Sequence, residues 1–489
     1  MIEKYEKIDK EILGNVFTST EVYDNLLTLT DFGSRFGGTK SEKQAVEFML
    51  NKFSSYDLDN VQKEEFEYQG WIRGDTALEI VKPISSPVIC IALPYCPSTA
   101  SEGVEGELIS AGNGSPEEYE RIKDKIPGKF VLVTSKEPTH SRWRSFHRTE
   151  KLGMAIHYGA EAVIFQNHNP GRLENTGCAR CNQIAEVPSI AISYEEGWRL
   201  KRLLTEGLVI VRITANHQTP RLKSWNVFGD ITGQKLKDDI IVVGAHFDGH
   251  DIALGAMDDG SGASVVMETA RLLVPYKKTF KRTLRFICFP LEEIGLTGAY
   301  AYTHKLHTSE LNNTKFMLNL DGAGRAGESP AILTEGCPEI VSAFKKLAAT
   351  MKYDLPLGSR LGSHSDFFPF FLKGVPSASL VSSRPRGIEG RGFSHTSADT
   401  PDKVKLRPLR EAAMVVSRFI YRVADLDSIP AKRKSPEEVK KLIKLYGLEE
   451  NIIVSKKRTV DQLINEGIFA TPLEQKEGYL NTLFKVQSV

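Results

Sequence analysis

The sequence predicts an α/β protein, with a mixed central sheet flanked by helices and a smaller β-rich domain inserted before the main motifs. Three observations predict it. Apolar runs at Ile240 to Val243, at 283–291 (TLRFICFPL) and at Phe316 to Leu320 have the length and composition of buried strands. Each run leads into histidine or carboxylate residues and a glycine-punctuated loop, as at the carboxyl edge of an open α/β sheet, where sites form. From 73 to 218 the pattern changes to short strands and turns with two helical stretches.

A chain of 489 residues is too long for one ordinary domain and allows two with sizeable cores. The net charge of +1, from 63 basic and 62 acidic residues, points to neither nucleic acid nor a membrane surface as partner. The first residues, MIEKYEKIDKEIL, are charged throughout and lack an apolar leader segment, and no apolar run approaches ~18 residues. The expected location is cytoplasmic.

Residues 17–69 read as largely helical. Ser19 or Thr20 is placed to cap a helix through Leu29, and Ser41 a second one from Glu42 to Phe53, with Val46, Met49, Leu50 and Phe53 at helical spacing. In the next region GKFVLVTS and VPSIAIS read as strands, HRTEKLGMAIHYGAEAVIFQ as a helix running into a strand, and Tyr194 to Leu204 as a helix. Aromatic and basic residues interleave at 141–151 (SRWRSFHRTEK), but without a basic excess in the chain this is a loop or part of a substrate wall rather than a nucleic-acid surface. Among the six cysteines, Cys288 falls mid-strand as a small apolar residue. Cys178 and Cys181 form a Cys-x-x-Cys pair, expected as two unpartnered loop thiols in preference to a redox pair or half a zinc site with Cys90 and Cys96.

The chemistry concentrates at 244–264 (GAHFDGHDIALGAMDDGSGAS). His246 and Asp258 offer an imidazole nitrogen and a hard oxygen to a zinc-type metal, and Asp248 points the same way as His246 and can fix its tautomer. The second strand ends in Glu292 and Glu293; of two adjacent carboxylates, one can bind a metal while the other serves as general base and acid. The third strand ends in Asp321, and His395 lies further on with Asp399 close by.

The order His-x-Asp, Asp-Asp-Gly-x-Gly, Glu-Glu-x-Gly-x-x-Gly, Asp-Gly, Ser-Asp-x-x-x-Phe and His-Thr-x-x-Asp-Thr resembles the co-catalytic di-zinc aminopeptidase family, which also includes glutamate carboxypeptidases and folate hydrolases. The resemblance covers about residues 220 to 425, with weaker similarity at the N-terminus. It implies the zinc exopeptidase fold, with His246 and Asp321 on one zinc, Glu293 and His395 on the other, and Asp258 bridging the two. Glu292 is then the base that activates a metal-bridging hydroxide, and Asp248 orients His246. Two zinc ions per chain are implied, with cobalt or manganese also accepted by so carboxylate-rich a site. A cis peptide between Asp258 and Asp259 is implied as well. The inserted region resembles a protease-associated domain, expected to act as a passive lid or spacer.

The chain departs from the family pattern where His364 precedes Ser365 in place of a common arginine, and where Ser394 precedes His395 in place of a tyrosine. Phe367, Phe368 and Phe370 are candidates for an apolar specificity wall, although aromatics opening a helix usually belong to the core. Arg384, Arg386 and Arg391, in the loop 382–392, are candidates for holding a substrate carboxylate. After 425 the resemblance ends; a lysine-rich helix opened by Ser435-Pro436-Glu437-Glu438 and a packed appendage follow.

The expected division is therefore 1–72 as the N-terminal part of the catalytic domain, 73–218 as the inserted protease-associated domain, 219–425 as the di-zinc peptidase domain and 426–489 as an appendage. The expected activity is an aminopeptidase that releases N-terminal residues of a peptide, with the substrate ammonium near Glu292 and Asp321; a homo-oligomer is allowed. The alternatives are a dipeptidase or glutamate carboxypeptidase, a metal-free receptor or scaffold, and a single-zinc cyclase. Retention of all five ligands together with Glu292 argues against the last two.

Overall fold

The computed structural model describes residues 2–138, 145–306, 308–324, 329–382 and 391–473. The chain forms two compact units, Met1–Glu67 with Lys223–Leu442, and Tyr68–Leu222 with Ile443–Val489.

The first unit is built on an eight-stranded sheet in the order Asp59–Gln69, Arg221–Ile231, Arg282–Phe289, Leu236–His246, Thr314–Leu320, Ser377–Ser382, Pro330–Glu335, Leu357–Arg360. Its four middle strands are parallel and its outer pairings include antiparallel ones, so the sheet is mixed as expected. The strand ending at His246 is exposed over Leu236 to Asp238 and buried from Ile241 onward, which is why only its second half reads as an apolar run. His246 pairs with Phe289 and Gly244 with Asn319, so the carboxyl ends of three parallel strands are level. The chain leaves His246 toward one neighbour and returns past it to the other, which opens a crevice at those ends.

Alternation along Arg282–Phe289 sends Leu284, Phe286 and Cys288 into the main core, where they meet the buried faces of the helices Ser261–Leu273 and Leu406–Asp425. Phe289 points to the opposite face and packs with Tyr302 and Phe370 at ring separations of 6.1 and 6.0 Å. Phe367, Phe368 and Phe370, in the short helix Phe367–Leu372, are all fully buried, so they are core residues rather than an exposed pocket wall.

Several local expectations shift. The N-terminal helices are Ile2–Thr18, Glu21–Asp31 and Lys40–Ser55. The third is capped by Thr39, whose side chain accepts from Glu42 N; Ser41, the expected cap, lies inside the helix. Residues 59–69 form a strand, with Phe66 and Tyr68 buried between exposed Glu65 and Glu67, a period of two within a region that reads as helical. The helix Pro436–Leu445 opens with the expected reciprocal cap, Glu438 N to Ser435 Oγ and Ser435 N to Glu438 Oε2.

The second unit carries its own eight-stranded sheet, ordered Ser86–Val88, Thr76–Lys82, Ile210–Ala215, Val104–Ser110, Phe130–Thr134, Ala162–Gln166, Ser189–Ile192, Cys90–Ala92, with the helices Arg148–His157 and Tyr194–Glu206 where the sequence places them. The tail is not a separate appendage. Up to Leu442 it belongs to the first unit, and from Ile443 to the second, because the helix Glu449–Lys456 packs against Arg148–His157 through buried polar contacts. Asn451 Nδ2 donates to Glu150 Oε2 at 3.0 Å, Thr149 Oγ1 to Ser455 Oγ at 2.7 Å, and Arg180 Nη1 to the carbonyl of Val454 at 2.5 Å. Cys178 and Cys181 are buried loop thiols beside the same helix, with Lys456 Nζ 4.0 Å from Cys181 Sγ. Residues 141–144 of the aromatic and basic stretch lie outside the described residues. Among the described residues, no helix is long and apolar enough to cross a membrane.

Asn451→Ala removes a donor to the buried Glu150 carboxylate, which also accepts from the backbone N–H of His147. It should destabilise the second unit by about 1–3 kcal/mol. Protease protection of the segment from Ile443 and the denaturant midpoint should both fall; unchanged protection would show that this contact does not hold the helix.

Candidate metal centre

The five expected metal ligands, His246, Asp258, Glu293, Asp321 and His395, come together at the level strand ends, and loops hold them there. Leu291, with φ of +60°, turns the chain sharply after Phe289 and presents Glu292 and Glu293, a left-handed backbone that costs a non-glycine residue about 1–2 kcal/mol. The peptide between Asp258 and Asp259 is cis.

Two donor groups result, His246 with Asp258 and Asp321, and His250 with Glu293 and His395, each with its ligand atoms within 4.8 Å of one another. Asp258 lies between them. Its Oδ1 is 3.5 Å from His246 Nε2 and its Oδ2 is 3.3 Å from His395 Nε2. Glu293 Oε2 is 3.3 Å from His395 Nε2 and 2.9 Å from His250 Nε2.

Neighbouring carboxylates fasten the loops rather than adding ligands. Asp248 accepts from the backbone N–H groups of Glu292 and Glu293 at 3.1 and 3.4 Å. Its expected role toward His246 is carried largely by its main chain: His246 Nδ1 is 3.1 Å from the Asp248 carbonyl oxygen and 3.4 Å from the carboxylate. Asp399 accepts from Met257 N and Asp258 N at 2.8 and 3.2 Å. Asp259 Oδ1 accepts from Gly262 N at 2.8 Å and Gly322 N at 2.9 Å, which ties the start of one helix to the turn after Asp321. A Cβ on Gly262 would sit 2.2 Å from both Asp259 Oδ2 and the Leu320 carbonyl, so only glycine admits this approach. Ser365 Oγ donates to Asp321 Oδ2 at 2.7 Å and receives Asn319 Nδ2 at 2.6 Å, which orients that carboxylate.

So many buried acids cannot all be charged unaided. Burial, reinforced by neighbouring carboxylates, pushes Glu292, Asp259 and Asp366 well above the ordinary range, Glu293 up to about 8 and Asp399 up to about 7. Burial opposes a charge on His246, yet the carboxylates of Asp248 and Asp258 raise it well above its usual value. Both oxygens of Asp366 and the Nε2 of His246 are buried without a hydrogen bond. A mixed nitrogen and oxygen donor set with surplus negative charge and an orphaned imidazole nitrogen fits divalent metal ions of the zinc type. A structural zinc at Cys90, Cys96, Cys178 and Cys181 is not supported, because among the described residues only these two donor groups converge.

His250, Asp259, Ser365 and Asp366 were not singled out as site residues from the sequence. The spacing of His246, Asp248 and His250 held a signal, since the alternation simply continues by one more step. Arg384 and Arg386 lie outside the described residues, as does the side chain of Arg391.

Residues 226–420 match the family model of peptidase family M28, and residues 104–200 that of the PA domain. Aminopeptidase YwaD of Bacillus subtilis (strain 168) is 27% identical over 436 residues, covering 88% of this chain and 88% of the relative. Human carboxypeptidase Q is 26% identical over 419 residues, covering 83% and 86%. The crystal structure of an M28 peptidase precursor from Shewanella amazonensis superposes with a TM-score of 0.74 at 23% identity, covering 89% of this chain and 99% of that one.

Ser365→Ala should weaken metal binding by about 10–100-fold by freeing the Asp321 carboxylate, measured by equilibrium against buffers of defined free zinc. The metal-free protein should lose stability as pH rises from 4.5 toward about 8, because Glu293 keeps its proton in the folded state over that interval while the unfolded chain releases it. Zinc should remove this decline, and melting curves across pH with and without the metal check it. With catalytic motifs, converging donor groups and both matched regions in place, the chain is a metallo-exopeptidase whose residues 226–420 are similar to peptidase family M28 and whose residues 104–200 are similar to the PA domain.

Proposed function

We propose that the chain is a zinc aminopeptidase that holds two metal ions, with His246 and Asp321 on one, Glu293 and His395 on the other, and Asp258 shared. The observation that supports this reading best is the placement of Asp258, whose two carboxylate oxygens face imidazoles of the two separate donor groups at 3.5 and 3.3 Å. Two zinc ions bound there would polarise the scissile carbonyl and lower the pKa of a water molecule.

The remaining work falls to the chain itself. Glu292, beside the ligand Glu293 and held at its backbone by Asp248, is the group that takes the proton from the attacking water. It then delivers that proton to the departing amine. Burial and the nearby carboxylates raise its proton affinity, which suits a base that must also act as an acid. Asp248 keeps Glu292 and Glu293 in register with His246, so one carboxylate fixes both the base and two ligands. The substrate ammonium is placed near Glu292 and Asp321, whose negative charge attracts it.

A second reading, a dipeptidase or carboxypeptidase, draws support from the similarity to carboxypeptidase Q along most of the chain. The two readings separate on substrate termini.

The testing experiment combines metal content with hydrolysis of Leu-p-nitroanilide and of dipeptides with either terminus blocked. Two metals per chain, turnover that requires a free amine, and a loss of about 10²–10⁴-fold in kcat for Glu292→Gln at unchanged metal content are expected. Turnover of amine-blocked but not carboxyl-blocked dipeptides would favour the second reading, and no turnover with zinc or cobalt present would overturn both.

A further inference from the structure

Resting on the two-metal reading, we propose that His250 is a fourth protein ligand of the metal held by Glu293 and His395. That position then has two imidazole nitrogens, Glu293 and the shared Asp258, whereas the His246 position has one nitrogen and two carboxylates.

His250 follows the His246 strand by a few residues on a loop with little freedom. Its side chain is 1% exposed. Arg35, fully buried, pins the loop on both sides by donating to the carbonyls of Phe247, Leu254 and Gly255 at 2.6, 2.5 and 2.8 Å, and Gly249 N donates to the Ser34 carbonyl at 2.9 Å. The imidazole is thereby fixed before any ion arrives.

Its nitrogen points where a ligand should. His250 Nε2 and His395 Nε2 approach the same oxygen, Glu293 Oε2, at 2.9 and 3.3 Å. Metal–ligand bonds of about 2.0–2.2 Å in a tetrahedron leave the donor atoms about 3.3–3.6 Å apart, so the three atoms need little movement to surround one ion. The two rings meet at 74° with centroids 4.6 Å apart, edge toward face, an arrangement that lets both nitrogens reach one point without ring overlap. A second imidazole also strengthens the preference of this position for zinc and cobalt over manganese and magnesium, since nitrogen donors favour the former.

The other role open to His250 is a hydrogen bond to Glu293 with no bond to the metal. A glutamine can reproduce that hydrogen bond and is a far poorer metal donor.

The test uses the full chain, equilibrated against buffers of defined free zinc, and separately loaded with cobalt for visible absorption. His250→Ala and His250→Gln should each weaken one of the two metals by at least about 10-fold while leaving the other unchanged, and should alter the cobalt absorption of the weakened position. Wild-type affinities in His250→Ala, or wild-type affinities and cobalt absorption in His250→Gln, would overturn the proposal. Wild-type stoichiometry separates this failure from that of the underlying reading, because a wild-type chain that binds a single metal at saturating zinc would remove the two-metal assignment itself.

Discussion

Negative charge gathered out of water is the constraint around which the catalytic unit is built. Asp248, Asp258, Asp259, Glu293, Asp366 and Asp399 are all buried at the ends of three parallel strands, with Glu292 and Asp321 partly so. An isolated buried carboxylate is too costly to keep ionised, so each needs a proton, a donor or a cation. The fold meets this need by dividing the labour. Asp248, Asp259 and Asp399 each take backbone N–H groups from a segment distant in sequence, and so act as clamps between loops. Asp258, Glu293 and Asp321 turn toward histidines instead, and their remaining charge is what a divalent ion relieves. Arg35 adds a fixed cation among the clamps, within reach of the fields of Asp248, Asp399 and Asp259. The same carboxylates that are costly to bury unpaired are the ones a multivalent cation would neutralise.

Much of this was legible beforehand because strand ends have a plain signature. A buried parallel strand reads as an unbroken apolar run, and the first residues after it must face the crevice, so His246, Glu292, Glu293 and Asp321 announced both their element and their direction. The motifs then named roles that the geometry makes intelligible. What was not legible depended on contacts between distant segments. Nothing local distinguishes Asp259 as a clamp from Asp258 as a member of a donor group, because the difference lies in Gly322 arriving beside one of them. Thr39 rather than Ser41 caps its helix, a two-residue shift that propensity alone does not resolve. The order of motifs assigns no work to the position of His250.

The tail illustrates a different limit. In the helix Glu449–Lys456, every residue from Asn451 to Lys456 is buried, polar ones included, so there is no apolar stripe for periodicity to find. Its docking rests on complementary polar groups, Glu150 with Asn451 and Arg180 with a backbone carbonyl, whose partners lie some three hundred residues upstream in sequence.

Both units are discontinuous in sequence, and this orders events during synthesis. Residues 68–222 emerge from the ribosome long before Ile443 and its helix exist, so the second unit must wait with one face of Arg148–His157 uncovered. The first unit is complete in sequence once Leu442 is made, before the last segment of the second exists. The inserted region and the tail are therefore a single module in two pieces: excising 68–222 would strand the final helices without their partner, and trimming the tail would uncover a face that the insertion cannot fill alone.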